Sequence, residues 1–399
     1  LSRIACLGLA ALAMVGCRGE DDRKVPMLDG EPTLIVPRAG LPGLPADLAN
    51  NNLDIVQHDG RLFFAWRTAP SHFASSDAHI NVLSREPGGD WEFEYSVSAG
   101  TDVREPRFLS WNGFLFLYYA ELGSNPSEFV PGEAFFVERF GPANWGEPSG
   151  FQQDGFIPWR TKVVDGAPYM LGYVGGESIY ELGSDEEPDP IDVYFLTSTD
   201  GLAWGGVSAF NPVVHEGGGS ETDFALLEDG SLIAVMRNEQ GDDSGFGSKI
   251  CSAPADRLWQ WSCQNDPRKF DSPLMFSFEG RAFLLARRNV TDDGRYDLGR
   301  DDLTQREQFF EYQTDYWASP KRCSLWEVDT STLEVTLHFD LPSGGDTCFA
   351  GIVPFGDEDA FLLYNYSSPL DGDLDISWLQ GQTGNTNIYS HLLRFEAPE

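Results

Sequence analysis

The chain has 399 residues and a formal net charge of −36, with 13% aromatic residues, 42 glycines and 25 prolines. That much negative charge excludes nucleic acid and an anionic membrane surface as natural partners and suits a solubilised surface protein. The length allows one large β architecture or two ordinary domains, and the composition favours short strands and turns over helices, with no helix-period apolar run beyond the first 16 residues.

In chain order, Arg3 is followed by an apolar stretch over residues 4–15 and by Gly16-Cys17. The stretch is too short to span a bilayer as a mature helix and reads as an export signal. Leu12-Ala-Met-Val-Gly-Cys17 resembles a bacterial lipobox. That implies a lipoprotein signal peptide over residues 1–17, lipidation at Cys17, and a protein held on the cell envelope, at the outer membrane, by its lipid alone. An ordinary secretory signal cleaved elsewhere is the alternative. Residues 18–45 then form a tether, charged from Arg18 to Lys24, and the folded domain occupies residues 46–399.

Within that domain one hairpin recurs. In its clearest copy, strands at residues 223–227 and 232–236 flank an Asp229-Gly230 turn. Other copies span residues 53–66, 106–119, 160–173, 272–287 and 348–364. The turn glycines Gly60, Gly113, Gly166, Gly230, Gly280 and Gly356 are separated by 53, 53, 64, 50 and 76 residues, the length of a four-stranded blade with its loops. The expected fold is all-β, a six-bladed β-propeller of four-stranded antiparallel blades, with two sandwiches as the alternative. Behind each hairpin a second turn ends in tryptophan, as at Trp91, Trp145 and Trp204. Ser198-Thr-Asp-Gly-Leu-Ala-Trp204 resembles an Asp-box, whose role is structural.

Export permits disulfides. Cys251 and Cys263 flank a predicted hairpin turn and are expected to bridge, whereas Cys323 and Cys348 have no such local argument and are expected to be free. Blade six supplies strands at residues 349–354, 360–366 and 387–395, then the chain stops. The β-branched segment Pro32-Thr-Leu-Ile-Val-Pro37 is expected to cover the open edge as its outermost strand.

Propeller geometry sorts the polar residues, because the start of strand one and the end of strand two share a face. Seven residues past a turn glycine stand Arg67, Arg237 and Arg287. Near the starts of first strands stand Asp54, Arg104, Arg107, Arg160, Lys162, Glu221, Asp223 and Asp271. The three arginines are expected to converge with these acids round one funnel. Trp66, Tyr119, Trp159, Tyr173 and Tyr366 suit either sugar stacking or the core.

On these residues the chain resembles the sialidase (neuraminidase) superfamily of six-bladed propellers. The resemblance implies Glu221 as an acid partner, Arg237 as a carboxylate clamp and Arg287, or its neighbour Arg288, as a second clamp. Residues 67–77 fill the loop where sialidases carry an acid/base aspartate, with Asp77 and His72 as the candidates. Two departures stand out. Asn50-Asn-Asn-Leu53 replaces the usual blade-one arginine motif, and Phe349 stands where a tyrosine nucleophile is expected. Phenylalanine cannot attack an anomeric carbon.

The expected function is a monomeric surface glycoside hydrolase acting on acidic or polar glycans. Arg67, Arg237 and Arg287 would hold the ligand, with His72, Arg104, Arg107, Arg160, Lys162 and Asp271 around it. Glu221 or Asp223, across from Asp77 or Asp271, would supply acid and base for an inverting attack by water. A non-catalytic carbohydrate-binding or protein-docking propeller is the alternative. Six histidines without metal-ligand spacing predict no metal, no cofactor is expected, and the acidic loops read as solvated charge.

Overall fold

A computed structural model describes residues 23–43, 46–181 and 189–398. Cys17 and the export signal lie outside the described residues. Six antiparallel sheets follow one another along the chain, each pairing only within itself, and together they make a six-bladed β-propeller. This excludes the two-sandwich alternative. Blade four shows the plan, with strands Gly219–Leu226, Leu232–Asn238, Ser248–Ala253 and Ser262–Asp266 running from the central axis outward.

The turn chemistry explains why the hairpins form where they do. Asp59-Gly60, Asn112-Gly113, Asp165-Gly166 and Glu279-Gly280 all have two consecutive positive φ angles, the requirement of a tight two-residue hairpin turn. The second turn of blade three closes through its side chains: Ser198 Oγ accepts from Gly201 N (2.9 Å), and Asp200 Oδ1 accepts from Leu202 N (2.8 Å) and Ala203 N (2.9 Å). Trp204 then packs edge-on against Tyr118.

Blade six closes the ring. Its last strand, Asn387–Glu396, pairs inward with Ala360–Ser367 and outward with two N-terminal strands in tandem. Thr33–Val36 covers residues 388–390, and Val25–Leu28 covers residues 393–396. The first of these strands falls in the segment expected from sequence; the second was not anticipated. Deleting residues 23–37 is therefore expected to lower the melting temperature by several degrees, since lost pairing and packing cost roughly a few kcal/mol. An unchanged melting temperature in a thermal scan would show that these strands add nothing to closure. On the inner side, Gly351 lies so close to blade one that a Cβ there would sit 3.1 Å from Ile55 N.

Two features correct the sequence reading. Cys251 and Cys263 are bridged as expected, but Cys323 and Cys348 are also joined, tying the third strand of blade five to the chain entering blade six. No local signal could show this, because the partners meet only once both blades are in place. Two helices also interrupt the β pattern: α1 (Gln305–Ala318) between the second and third strands of blade five, and α2 (Trp378–Gln382) at the same place in blade six. The buried side of α1 is Phe309, Tyr312, Gln313 and Tyr316, a mixed aromatic and polar face without a clean apolar stripe. Its start was legible as a capping box, Thr304 with Glu307, and α2 begins with another, Ser377 with Gln380.

Candidate functional site

The site begins as a repeated irregularity. In blades one to five the hairpin register shifts near the start of the innermost strand, at Asn51/Leu53, Arg104/Arg107, Pro158/Arg160, Gly219/Thr222 and Asp271/Leu274. Asn52, Glu105, Ser272 and Cys348 each lie eight residues before a turn glycine, and each has positive φ (39°, 58°, 52° and 78°). An extra residue at such a point re-aims a side chain out of the ladder. Asn52, Glu105, Trp159, Glu221, Ser272 and Phe349, one from each blade, all face a cavity of about 380 Å³ at one end of the central channel.

The walls come from strand-two ends and from insertions before strand three. Tyr173, Arg237, Glu239, Arg287 and Tyr366 rise from the strands or just beyond them. The insertions add His72 from blade one, Phe129 from blade two, Tyr180 from blade three, Trp317 from α1, and Trp378 with Gln382 from α2. Tyr180 is ringed by Phe309 and Trp317, each 6.0 Å away, and Phe129 at 6.4 Å. Flat apolar faces beside polar groups are what a sugar ring stacks on.

Internal partners occupy the arginines. Arg237 Nη1 donates to Glu221 Oε1 (2.6 Å) and Nη2 to Tyr180 Oη (2.9 Å). Its Nε lies 3.1 Å from Asp271 Oδ1 and also contacts Glu239. Arg287 donates to Asp271 Oδ2 (3.0 Å) and to the Thr347 carbonyl (2.7 Å), with its guanidinium 4.5 Å from the Trp378 ring centre. Arg104 pairs with Asp102 and donates to the His72 carbonyl (3.3 Å). Burial pushes the Asp271 carboxyl up, but Arg237, Lys269 and Arg287 outweigh it and hold it at about 2.

Glu105 behaves oppositely. Burial raises its pKa, Arg107 and Arg104 offset this only in part, and the Glu221 charge adds to the rise. Oε1 accepts from Asn52 Nδ2 (2.9 Å). Oε2 is buried without a hydrogen bond among the described residues, and the nearest cation, Arg107 Nη2, is 3.8 Å away. Glu221 is fully engaged by comparison, its Oε2 accepting from Ser272 N (2.5 Å). In the same cavity wall, His72 Nδ1 lies 2.7 Å from Asp346 Oδ2 and 3.3 Å from Asn51 Nδ2. Asp346 Oδ1 accepts from Tyr366 Oη (2.9 Å) and Trp378 Nε1 (3.0 Å).

The structure brings together Glu221, Arg237, Arg287, Arg104 and His72, but not the rest of the expected set. Arg67 is fully buried behind the 70–78 loop, bound to Asp102 Oδ1 (2.7 Å) and the Ser71 and Phe73 carbonyls, so Arg104 takes the place expected for it. Asp77 is exposed on that loop and does not face the cavity. Asp271 lies behind the arginines, and Arg288 turns away to Asp340. Of the aromatics, Trp66 and Tyr119 belong to the core, whereas Trp159, Tyr173 and Tyr366 line the cavity.

Buried Arg107, Arg160 and Asp223, with half-buried Lys162 and Asp54, form a plug below the floor. Lys162 Nζ is 2.7 Å from Asp223 Oδ1, Asp223 Oδ2 accepts from Met275 N (2.6 Å), and Arg160 donates to the Pro273 and Ala350 carbonyls (3.2 Å each). Arg107 lies 5.0 Å from the Trp159 ring centre and 4.2 Å from that of Phe349. These residues stand only a few positions further along the inner strands, which is enough to drop them a layer. Glu105, Glu239, Tyr180, Asp346 and Trp378 were missed. For Glu105 the signal was available, since its offset from the turn glycine is shared with Asn52 and Ser272.

No protein-family model matches the chain, and no curated protein matches it. Among solved structures it is similar to Trypanosoma rangeli sialidase, with a TM-score of 0.56 at 12% identity over 94% of this chain and 60% of that one. It is also similar to that sialidase in complex with sialic acid, with a TM-score of 0.55 at 13% identity over 94% of this chain and 59% of that one. The chain thus spans about three-fifths of the length of those structures, and the likeness is one of fold.

Proposed function

We propose that the protein is a glycoside hydrolase that draws the terminal unit of a polar glycan into the cavity. One observation carries this reading: Glu105, whose pKa burial raises, lines an aromatic-walled cavity together with Glu221. A carboxyl whose pKa is raised by burial, set beside aromatic faces that can stack a sugar, suits protonation of a departing glycosidic oxygen. The plug below the floor supports action at a chain end, because a polysaccharide cannot thread through. An exported, lipid-anchored protein would meet such glycans at the cell envelope.

Charge narrows the ligand class. The sialidase neighbour is recorded with sialic acid, an acidic sugar. Here Arg104, Arg237 and Arg287 are already paired with Asp102, Glu221, Glu239 and Asp271. An incoming carboxylate would have to displace those partners, so an uncharged, hydroxyl-rich sugar is favoured over an acidic one. A panel of neutral glycosides, sialosides, uronides and sulfated glycans tests this with the purified protein. Hydrolysis of a neutral glycoside with inversion is the expected result. Turnover confined to acidic glycans would overturn the ligand assignment, and binding without any turnover would leave a carbohydrate-binding propeller, the reading favoured by Phe349 in the floor.

A further inference from the structure

An inverting hydrolysis needs a base as well as an acid, and Glu221 is poorly placed to be one. Both of its oxygens are taken, by Arg237 Nη1 and by Ser272 N, so accepting a proton from water would break an ion pair inside the protein. Glu239 is in the same position, bonded by Tyr180 Oη and paired with Arg237. Building on the hydrolase reading, we infer that His72, held by Asp346, is the base that activates the attacking water.

The geometry is that of an oriented imidazole. Nδ1 lies 2.7 Å from Asp346 Oδ2 and 3.3 Å from Asn51 Nδ2; the carboxylate, nearer and charged, is the stronger partner and assigns the ring proton to Nδ1 in the neutral imidazole. Nε2 then carries a lone pair, and it makes no hydrogen bond with any described residue, although the imidazole forms part of the cavity wall. Asp346 is fully buried and held in place: Tyr366 Oη and Trp378 Nε1 donate to its Oδ1, and its backbone N–H donates to Ser368 Oγ. The α2 helix presses on the same spot: a Cβ on Gly381 would lie 2.1 Å from Asp346 N. The His72 backbone is fixed too, its N–H donating to the Gln382 carbonyl (3.3 Å) and its carbonyl accepting from Arg104 Nη2 (3.3 Å). A third group that orients a base, itself locked by packing, is the arrangement that general-base chemistry requires.

In the step, the water O–H bond breaks and its proton passes to His72 Nε2 while the oxygen's electron pair forms the new bond to the anomeric carbon. The glycosidic C–O bond breaks, its electron pair stays on the departing oxygen, and that oxygen takes the proton of Glu105. The enzyme is left with a Glu105 carboxylate and a His72 imidazolium, and exchange of protons with solvent restores both.

The test uses the best neutral glycoside from the panel, comparing wild type with H72A, H72Q and D346N. H72A and H72Q should each lose about 10²–10⁴-fold in kcat with KM within a few-fold, the usual range for removing a general base. Azide, which needs no deprotonation, should restore turnover in H72A and release a glycosyl azide of inverted configuration. D346N should lower kcat with little change in KM, because Asn keeps the shape but loses the charge and, with its carbonyl held by Tyr366 Oη and Trp378 Nε1, turns an N–H towards His72 Nδ1. Wild-type kcat in folded H72Q, or losses confined to KM, would overturn the role of His72 while leaving the hydrolase reading intact. Absence of turnover by the wild-type protein would overturn both.

Discussion

Replacing Glu105 by Gln is expected to lower turnover of a neutral glycoside by about 10²–10³-fold, with ligand binding and melting temperature near wild type. Gln matches the shape and can still accept from Asn52 Nδ2 through its carbonyl, so the positive-φ turn that holds residue 105 is not disturbed. What is lost is the proton. The deficit should therefore shrink for aryl glycosides whose leaving group departs without protonation, and kcat measured across such a series checks it. A uniform loss over the whole series would show that Glu105 binds substrate and does not protonate it. Since burial raises the Glu105 pKa, the alkaline limb of the wild-type pH–rate profile should lie above the ordinary carboxylate range.

Arg237→Met should be the most damaging single change to the fold near the cavity. Arg237 stands among Glu221, Glu239 and Asp271, all nearly or fully buried. Removing the one cation they share leaves buried carboxylates short of compensation, a loss of about 3–5 kcal/mol in comparable buried pairs. Chemical denaturation should show it as a lower midpoint. A double variant that also carries Glu221→Gln should recover part of the loss, because one stranded charge goes with it. If Arg237→Met were as stable as wild type, the pairing would be looser than the distances state.

The repeat was readable from sequence because each blade depends on a local conformational demand. Asn112-Gly113 or Asp59-Gly60 must adopt positive φ, and few residue types do so readily, so the turns mark themselves. The site was only half readable, and the arginines show why. Arg67 and Arg237 occupy the same repeat position, yet the 70–78 loop folds back over one and leaves the other beside open space. Loops do not repeat, so an offset rule cannot tell a cavity wall from its backing. The depth of a residue was equally hidden. Glu221 and Asp223 are two residues apart, but the register shift between Gly219 and Thr222 puts the first on the floor and the second in the plug. Phe349, which the resemblance sets at the position of a tyrosine nucleophile, lies in the floor with Trp159 edge-on at 5.3 Å, whereas its neighbour Cys348 reaches a cysteine 25 positions earlier that no hairpin argument connects to it.

The tandem N-terminal strands on blade six have a consequence for the order of assembly. Blades one to five each pair strands close together in sequence and can form as the chain emerges. The sixth cannot: Val25–Leu28 and Thr33–Val36 find their partner only when residues 387–396 exist, and the Lys24–Asp359 contact spans 335 positions. Such a long-range closure is slow and leaves two unpaired edges waiting in the meantime. A ribosome-stalled chain ending before residue 387 should therefore have protease-sensitive N-terminal strands beside resistant middle blades, and release of the full chain should protect both ends at the same moment.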